Sequence, residues 1–135
     1  MKISTNSRYG LRAMTYLADK KDYSSISQIA RDEHISRTYL EKIFIKLKKA
    51  NLVKVKQGPT GGYKLARPSN QITVFDIFIA LEKQILGMKC ISEHKCPNLK
   101  NCLTYNVWGQ VELSILSTLK KITLKSLLKK NNAKK

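Results

Sequence analysis

The chain has 135 residues, of which 42% are hydrophobic and 26% are charged, as in one folded domain and unlike collagen-like or disordered chains. Its 26 Lys and Arg outnumber its 9 Asp and Glu, and the formal charge of +17 at pH 7 makes a polyanion the expected partner. The longest apolar run, Ile77 to Leu81, is far shorter than the roughly 18 residues of a membrane span. With no apolar signal segment near the start, we expect a cytoplasmic protein without a membrane partner.

Three amphipathic helices are predicted in the first 50 residues. Residues 7–19 carry apolar side chains at helical spacing, and Ser25 and Ser36 are the expected N-caps of the second and third helices. The third helix has the clearest helical period, formed by Leu40, Ile43, Phe44 and Leu47. Asn51 is its expected C-cap.

After the third helix, the spacing of apolar residues changes from the helical period of 3.6 residues to the strand period of 2. Leu52, Val53 and Val55 alternate with lysines, a glycine-rich turn follows at 58–62, and alternation resumes to Leu65. Three helices followed by a hairpin predict a winged helix-turn-helix, mainly α with a small β-hairpin wing. In such proteins the third helix enters the major groove of double-stranded DNA.

The third helix and the wing supply the expected DNA contacts, although any single lysine there is equally well explained as a solvated surface residue. The residues expected to face the bases are Arg37, Thr38, Glu41, Lys42 and Lys46. The groups expected to meet phosphates are Tyr39, Lys54, Lys56 and the amides of Gly61 and Gly62.

The second half predicts helices around an irregular cysteine segment. Thr73 is expected to cap a fourth helix that runs to Ile85 and stops at Gly87, and a long helix is expected from about Thr104 to Lys120. A short helix capped by Thr123 follows. The apolar stripe expected to form a homodimer interface is Trp108, Val111, Ile115 and Leu119. We therefore expect a DNA-binding domain at 1–70, dimerisation helices at 71–128 with a cysteine loop at 88–103, and a basic tail at 129–135.

Cys90, Cys96 and Cys102 follow a C-x5-C-x5-C pattern. An odd number of thiols in a cytoplasmic chain argues against a disulfide framework, and structural zinc favours closer cysteine pairs. Soft thiolates on one loop suit an iron-sulfur cluster. The residues alone leave a cluster or metal, reactive free thiols and inert cysteines open.

Several segments together resemble one family. The segments are 1–14, 36–44, the wing at 58–63, the three cysteines and 102–108. They are similar to the IscR/NsrR/CymR (BadM-type) family of bacterial winged-helix regulators, most of all to its IscR-type members, over essentially the whole chain. The resemblance implies a dimeric DNA-binding transcription factor. It also implies a 2Fe-2S or 4Fe-4S cluster on the cysteine loop that senses redox state, iron-sulfur status or nitric oxide. We expect no enzymatic activity, because no Ser/His/Asp or paired-carboxylate arrangement is visible among the two histidines and nine acids.

The chain departs from this family at the fourth ligand. IscR-type members carry a histidine three residues after the third cysteine, where this chain has Tyr105, and residues 1–18 lack the acidic ligand of NsrR-type members. His94 is the candidate replacement, with Glu93, a small exogenous ligand or an open iron position as alternatives. A zinc site, a cluster-free regulator of the CymR type and an electron-transfer or metal protein also remain, although the wing and the basic third helix argue against the last.

Overall fold

The computed structural model describes residues 3–82, 84, 86 and 88–133. Its helices and strands are, in chain order, α1 (Thr5–Ala18), α2 (Ile26–Glu33), α3 (Arg37–Lys49), β1 (Val53–Lys56), β2 (Gly62–Leu65), α4 (Val74–Leu81), α5 (Lys89–Ser92), α6 (Tyr105–Lys121) and α7 (Leu124–Ala133). The predicted class, mainly helical with one two-stranded antiparallel hairpin, is confirmed. Of the described helices, none has both the length and the apolarity needed to cross a membrane.

Serine side chains set the starts of the first three helices. Ser25 and Ser36 accept hydrogen bonds from the backbone N–H groups of Gln28 and Tyr39, as predicted. The first helix begins two residues before the predicted start because Ser4 caps it. The C-cap of α3 is Ala50, one residue before the predicted Asn51, which follows in the left-handed conformation with φ 60°.

One core joins the two halves of the chain. The apolar face of α3 is fully enclosed, and α4 and α7 pack against α1. Gly10 of α1 is needed there, since a Cβ at that position would lie 2.2 Å from Leu81 Cδ1. Ile77 of α4 and Leu124 of α7 are both 0% exposed. Buried residues on both sides of the predicted 70/71 boundary therefore belong to one core, which Leu124 of α7 joins.

The hairpin, called the wing below, pairs Val53 with Leu65 and Lys56 with Gly62. The wing is tied to the rest of the domain at Tyr63 of β2, whose backbone exchanges hydrogen bonds of 2.9 and 2.8 Å with Ser24. The Tyr63 ring also packs on Phe44 of α3, with ring centroids 4.5 Å apart. The position of the wing relative to α3 is thus fixed by buried contacts.

The fourth helix is shorter than predicted. It begins at the Thr73 capping box, as expected, but ends at Leu81, and Glu82 is extended. The Glu82 carboxylate accepts hydrogen bonds from Ser4 and Ser7 at the start of α1, the latter at 2.9 Å, which explains the early end. Ile85 and Gly87, the predicted end and stop, lie outside the described residues.

The terminal helix is longer than predicted. Thr123 and Ser126 exchange side-chain to backbone hydrogen bonds of 3.1 Å at its start. The helix continues to Ala133. The segment expected as a basic tail at 129–135 is therefore helical through residue 133.

Candidate nucleic-acid interface and cysteine segment

The surface of α3 opposite the core is open to solvent. Buried Leu40 and Leu47 hold one face of the helix. The exposed residues of the other face are Thr38, Lys42, Ile45, Lys46 and Lys49. Ile45 lies on the face that helical spacing predicts to meet the base edges. It is apolar yet 66% exposed, and such a side chain suits the methyl group of thymine in the major groove.

Two predicted base-reading residues are paired with each other. Arg37 Nε lies 3.2 Å from Glu41 Oε1, one helical turn away, and both side chains are largely exposed. An exposed pair of this kind contributes about 0.3–0.5 kcal/mol. DNA can therefore separate the two side chains at little cost, and the helical spacing of the sequence had already placed them within reach.

Tyr39 lies in an aromatic contact at the start of α3. Its ring meets Tyr9 of α1 edge-on with centroids 5.5 Å apart, and the guanidinium groups of Arg8 and Arg12 lie 6.0 and 5.7 Å from the Tyr9 centroid. Both arginines are exposed, and Arg12 forms a 3.1 Å ion pair with Glu33, whereas Arg8 has no carboxylate partner among the described residues. Arg8 thus adds a cation beside the ring of Tyr9, which contacts Tyr39. The sequence does not show this arrangement, because the contact between Tyr9 and Tyr39 joins two distant segments.

The two wing glycines are required by close backbone approaches. A Cβ at Gly61 would lie 2.0 Å from the Lys56 carbonyl oxygen, and one at Gly62 would lie 2.3 Å from the Ser24 carbonyl oxygen. The Gly61 N–H donates to the Gly58 carbonyl at 3.0 Å. In this conformation the turn already uses the Gly61 amide, and its contact with a phosphate stays a prediction. Lys54 and Lys56 are exposed on the wing, as expected.

The three cysteines lie apart on an open segment. Cys90 on α5 and Cys96 are partly buried, Cys102 is exposed, and all three are free thiols. Across residues 3–82, 84, 86 and 88–133, no three His, Cys, Asp or Glu side chains come close enough together to hold a metal ion. The donor type fits an iron-sulfur cluster, with three thiolates on one loop. The loop would have to draw the three sulfurs together to hold one.

The residues around the cysteines form two polar contacts. His94 is the candidate fourth ligand, and its Nδ1 lies 3.3 Å from the Tyr105 hydroxyl oxygen. The candidate ligand is thus a neighbour of the tyrosine that stands where IscR-type members have a histidine. The Cys102 sulfur lies 3.4 Å from the Thr104 hydroxyl oxygen. Hydrogen bonding to the side chain and then the backbone of Thr104 holds the pKa of the Cys102 thiol below its ordinary value.

The long helix α6 carries the predicted interface stripe. Val111, Ile115 and Leu119 are partly buried within the chain, and no residue of α6 is fully buried. Trp108 is 43% exposed, and Val107, which the prediction omitted, is 50% exposed. The stripe therefore remains partly open to solvent.

A wing fixed by buried contacts beside an exposed, cation-rich third helix defines a winged-helix DNA-binding protein. The model of one family, Rrf2, described as an iron-dependent transcriptional regulator, matches residues 3–130. The chain therefore belongs to the Rrf2 family of transcriptional regulators, and the resemblance seen in its sequence is confirmed.

Individual relatives agree with the family. An HTH-type transcriptional regulator of Haemophilus influenzae is 40% identical over 137 aligned positions, which cover 100% of this chain and 91% of the relative. The structure of IscR from T. potens has a TM-score of 0.80 at 35% identity, covering 97% of this chain and 88% of that one. CymR, the global cysteine regulator of B. subtilis, has a TM-score of 0.77 at 33% identity, covering 94% and 95%.

Proposed function

We propose that this protein is a cytoplasmic homodimer whose DNA affinity depends on the state of its cysteine segment, with an iron-sulfur cluster as the sensing group. The observation that carries the proposal is that all three cysteines lie between α4 and α6, outside the core that fixes α3 and the wing. A change in this segment can therefore occur without unfolding the DNA-binding surface. We expect no catalytic activity of its own.

The residues that would hold the cluster are Cys90, Cys96 and Cys102. Thiolates are the usual ligands of iron-sulfur clusters, and the family description as iron-dependent supports iron over zinc. Tyr105 stands where IscR-type members have a histidine, so the fourth position would be filled by His94, by a small molecule or not at all. We expect such a cluster to be more labile to oxygen than one with four protein ligands.

Glu82 offers a physical connection between the cysteine segment and the DNA-binding domain. It directly follows α4, on the side of the cysteine segment, and its carboxylate accepts a hydrogen bond from Ser7, which is 0% exposed. Moving Glu82 would leave a buried hydroxyl without this partner, at a cost of about 1–3 kcal/mol. A rearrangement that reaches Glu82 would therefore be felt at the start of α1.

Dimerisation is proposed through α6. An apolar stripe that its own chain leaves half open favours burial against a second copy. Two DNA-binding surfaces linked this way would recognise two half-sites, and their spacing could differ between two states of the cysteine segments. Regulation would then be the difference in DNA affinity between those states.

The cofactor is tested by anaerobic purification followed by visible absorption and by iron, sulfide and zinc analysis. We expect iron and sulfide in the wild type, and loss of the chromophore on changing any one of the three cysteines to alanine. His94→Ala should alter the spectrum only if His94 is a ligand. Zinc without sulfide would contradict the cluster and favour a site of three cysteines and His94.

A regulator that responds through its thiols without a cluster is the second candidate. It is favoured by the exposure of the Cys102 thiol, which leaves this sulfur accessible to an oxidant. In that case the anaerobic protein would contain neither iron nor sulfide, and hydrogen peroxide would change its DNA affinity. Cys102→Ala should abolish that response.

A further inference from the structure

A groove lies along the wing, and its described lining includes no residue of α3. It has a volume of about 350 Å³ and lies between the end of α1, both strands and residues 66–69. Its floor includes apolar Leu17 and Leu65. The charged residues that line it, Lys20, Lys54, Lys64 and Arg67, are all cations, and none of its described lining residues is acidic. We call it the outer wing groove.

The fold places two of these cations directly opposite each other. Lys54 of β1 and Lys64 of β2 are register partners in the hairpin ladder. Like charges at directly opposed positions destabilise a sheet. Neither lysine forms an ion pair with a carboxylate in the described part of the chain. An anion bound between them would remove this repulsion.

Aromatic rings hold the neighbouring ammonium groups. The Nζ atoms of Lys56 and Lys64 each lie 5.7 Å from the centroid of the Tyr23 ring. Lys20 Nζ lies 4.8 Å from the centroid of the Tyr16 ring. A ring face attracts an ammonium group without neutralising its charge, so these lysines are positioned and remain available to an anion.

Two cations of the groove have acidic neighbours. The pKa of the exposed Asp32 carboxyl is lowered by its hydrogen bond with Tyr16 and, to a lesser extent, by the charge of Lys20. Arg67 Nη2 lies 3.9 Å from Asp76 Oδ2, and the side chains are 44% and 33% exposed. An ion pair this long and exposed contributes little and is easily exchanged. The groove therefore retains a positive charge that nothing within the described chain offsets strongly.

We propose that the outer wing groove binds phosphates of the DNA backbone that flanks the recognised sequence. The inference rests on the DNA binding of this family and extends it to Lys20, Tyr23, Lys64 and Arg67. Lys54 and Lys56 connect the groove with the wing, so a duplex that reaches the wing meets it next. Duplex DNA carries about one negative charge per 1.7 Å of axis. An open row of cations therefore matches the phosphates of a duplex better than it matches a single small anion.

The test compares two duplexes that share one core, selected from random sequence by the wild-type chain. One duplex ends at the edges of the core, and the other adds about one helical turn, ~10 base pairs, on each side. Binding is measured by fluorescence anisotropy over a range of salt concentrations. For the wild type, the slope of log K against log salt should be steeper on the longer duplex.

The double variant Lys20→Gln/Lys64→Gln removes two groove cations from each protomer. On the longer duplex its slope should fall by about two units per protomer, and on the shorter one it should match the wild type. The matched control, Lys121→Gln/Lys125→Gln, removes two exposed lysines from α6 and α7. The control should keep the wild-type difference between the two duplexes.

Tyr23 provides a second, independent variant. Tyr23→Leu removes the ring beside Lys56 and Lys64 and should weaken binding to the longer duplex by about two- to fivefold. Tyr23→Phe retains the ring and should bind like the wild type. Equal binding by the Leu variant would contradict the role of the ring.

Other results would overturn the proposal in distinguishable ways. Equal loss of slope on both duplexes would mean that Lys20 and Lys64 act only through general charge. Equal wild-type slopes, with inorganic pyrophosphate shifting the Lys64 ammonium resonance, would assign the groove to a free anion instead. A selection in which the wild type enriches no sequence would contradict DNA binding itself, whereas a wild type that binds both duplexes with equal slopes contradicts only the outer wing groove.

Discussion

The surroundings of α3 and of the cysteines are built in opposite ways. Leu40, Phe44 and Leu47 of α3 are each 0% exposed, whereas none of the described side chains between residues 88 and 121 is buried. Elements with few buried contacts rearrange at low free-energy cost, and well-packed ones do not. The difference suits a regulator, since a surface that reads DNA must keep its shape while a sensing segment must be able to change.

The largest expected contrast is in stability. Phe44→Ala removes a fully buried ring that also contacts Tyr63 of the wing, and should lower the free energy of unfolding by about 3–5 kcal/mol. Cys96→Ala in the metal-free protein should lower it by less than about 1 kcal/mol, because none of the described side chains from residue 88 to 103 is buried. Urea unfolding followed by circular dichroism measures both. Equal losses would mean that the two regions form one cooperative core.

The next contrast separates two faces of α6. Ile115→Asp would place an unpaired carboxylate in the proposed dimer interface at a cost of about 3 kcal/mol, which raises the dimer dissociation constant roughly a hundredfold. Leu113→Asp is the control, because Leu113 is 67% exposed and lies outside the predicted stripe. Sedimentation should show monomers of the first variant and dimers of the second. Helical circular dichroism must be retained in both, and a dimeric Ile115→Asp would place the interface elsewhere.

A finer contrast lies within the DNA-binding surface. Arg37→Ala should cost about 1–3 kcal/mol on the preferred sequence and relax the preference, because Arg37 is expected to contact a base. Lys54→Ala should weaken binding to all sequences alike and lower the salt slope by about one unit. Competition between preferred and random duplexes distinguishes them. If only Lys54→Ala alters the sequence preference, Lys54 contacts a base and Arg37 does not, which contradicts this assignment.

The smallest expected effect concerns the contact between α1 and α2. The Tyr16 hydroxyl donates to Asp32 at 2.6 Å and lowers the pKa of that carboxyl, while burial and this hydrogen bond raise the pKa of Tyr16 to about 12. Because the folded pKa of Asp32 is depressed, its stabilising effect is present above the unfolded pKa and is lost as pH falls through the folded value. Tyr16→Phe should raise the Asp32 pKa toward its ordinary value in an NMR titration. An unchanged pKa would show that other groups set it.

Local patterns predicted much of the fold. The period of α3, the serine caps and the alternation of the wing depend on neighbours within a few residues, and each was correct to within a residue or two. The end of α4 was missed because Glu82 is held by Ser4 and Ser7, more than 70 positions away in the chain. Tertiary hydrogen bonds of this kind leave no trace in a local apolar period.

The candidate sites divide in the same way. Helical spacing predicted which residues of α3 face solvent. The contacts of Tyr39 with Tyr9 and of Tyr23 with two wing lysines could not be predicted in this way, because they join distant segments. The loss of the Gly61 amide to the turn could not be seen without the turn geometry. Spacing alone identifies the three cysteines as a group, yet it does not determine where an irregular loop places their sulfur atoms.

The central claim is that the state of the cysteine segment changes DNA affinity while the DNA-binding surface stays intact. The most direct measurement is the affinity of anaerobically purified protein for its selected duplex, before and after removal of iron and sulfide, with the triple Cys90→Ala/Cys96→Ala/Cys102→Ala variant alongside. We predict at least about a fivefold difference between the two wild-type states, the usual scale of allosteric coupling, and a variant fixed at the cluster-free affinity. The same affinity in all three samples would contradict the account.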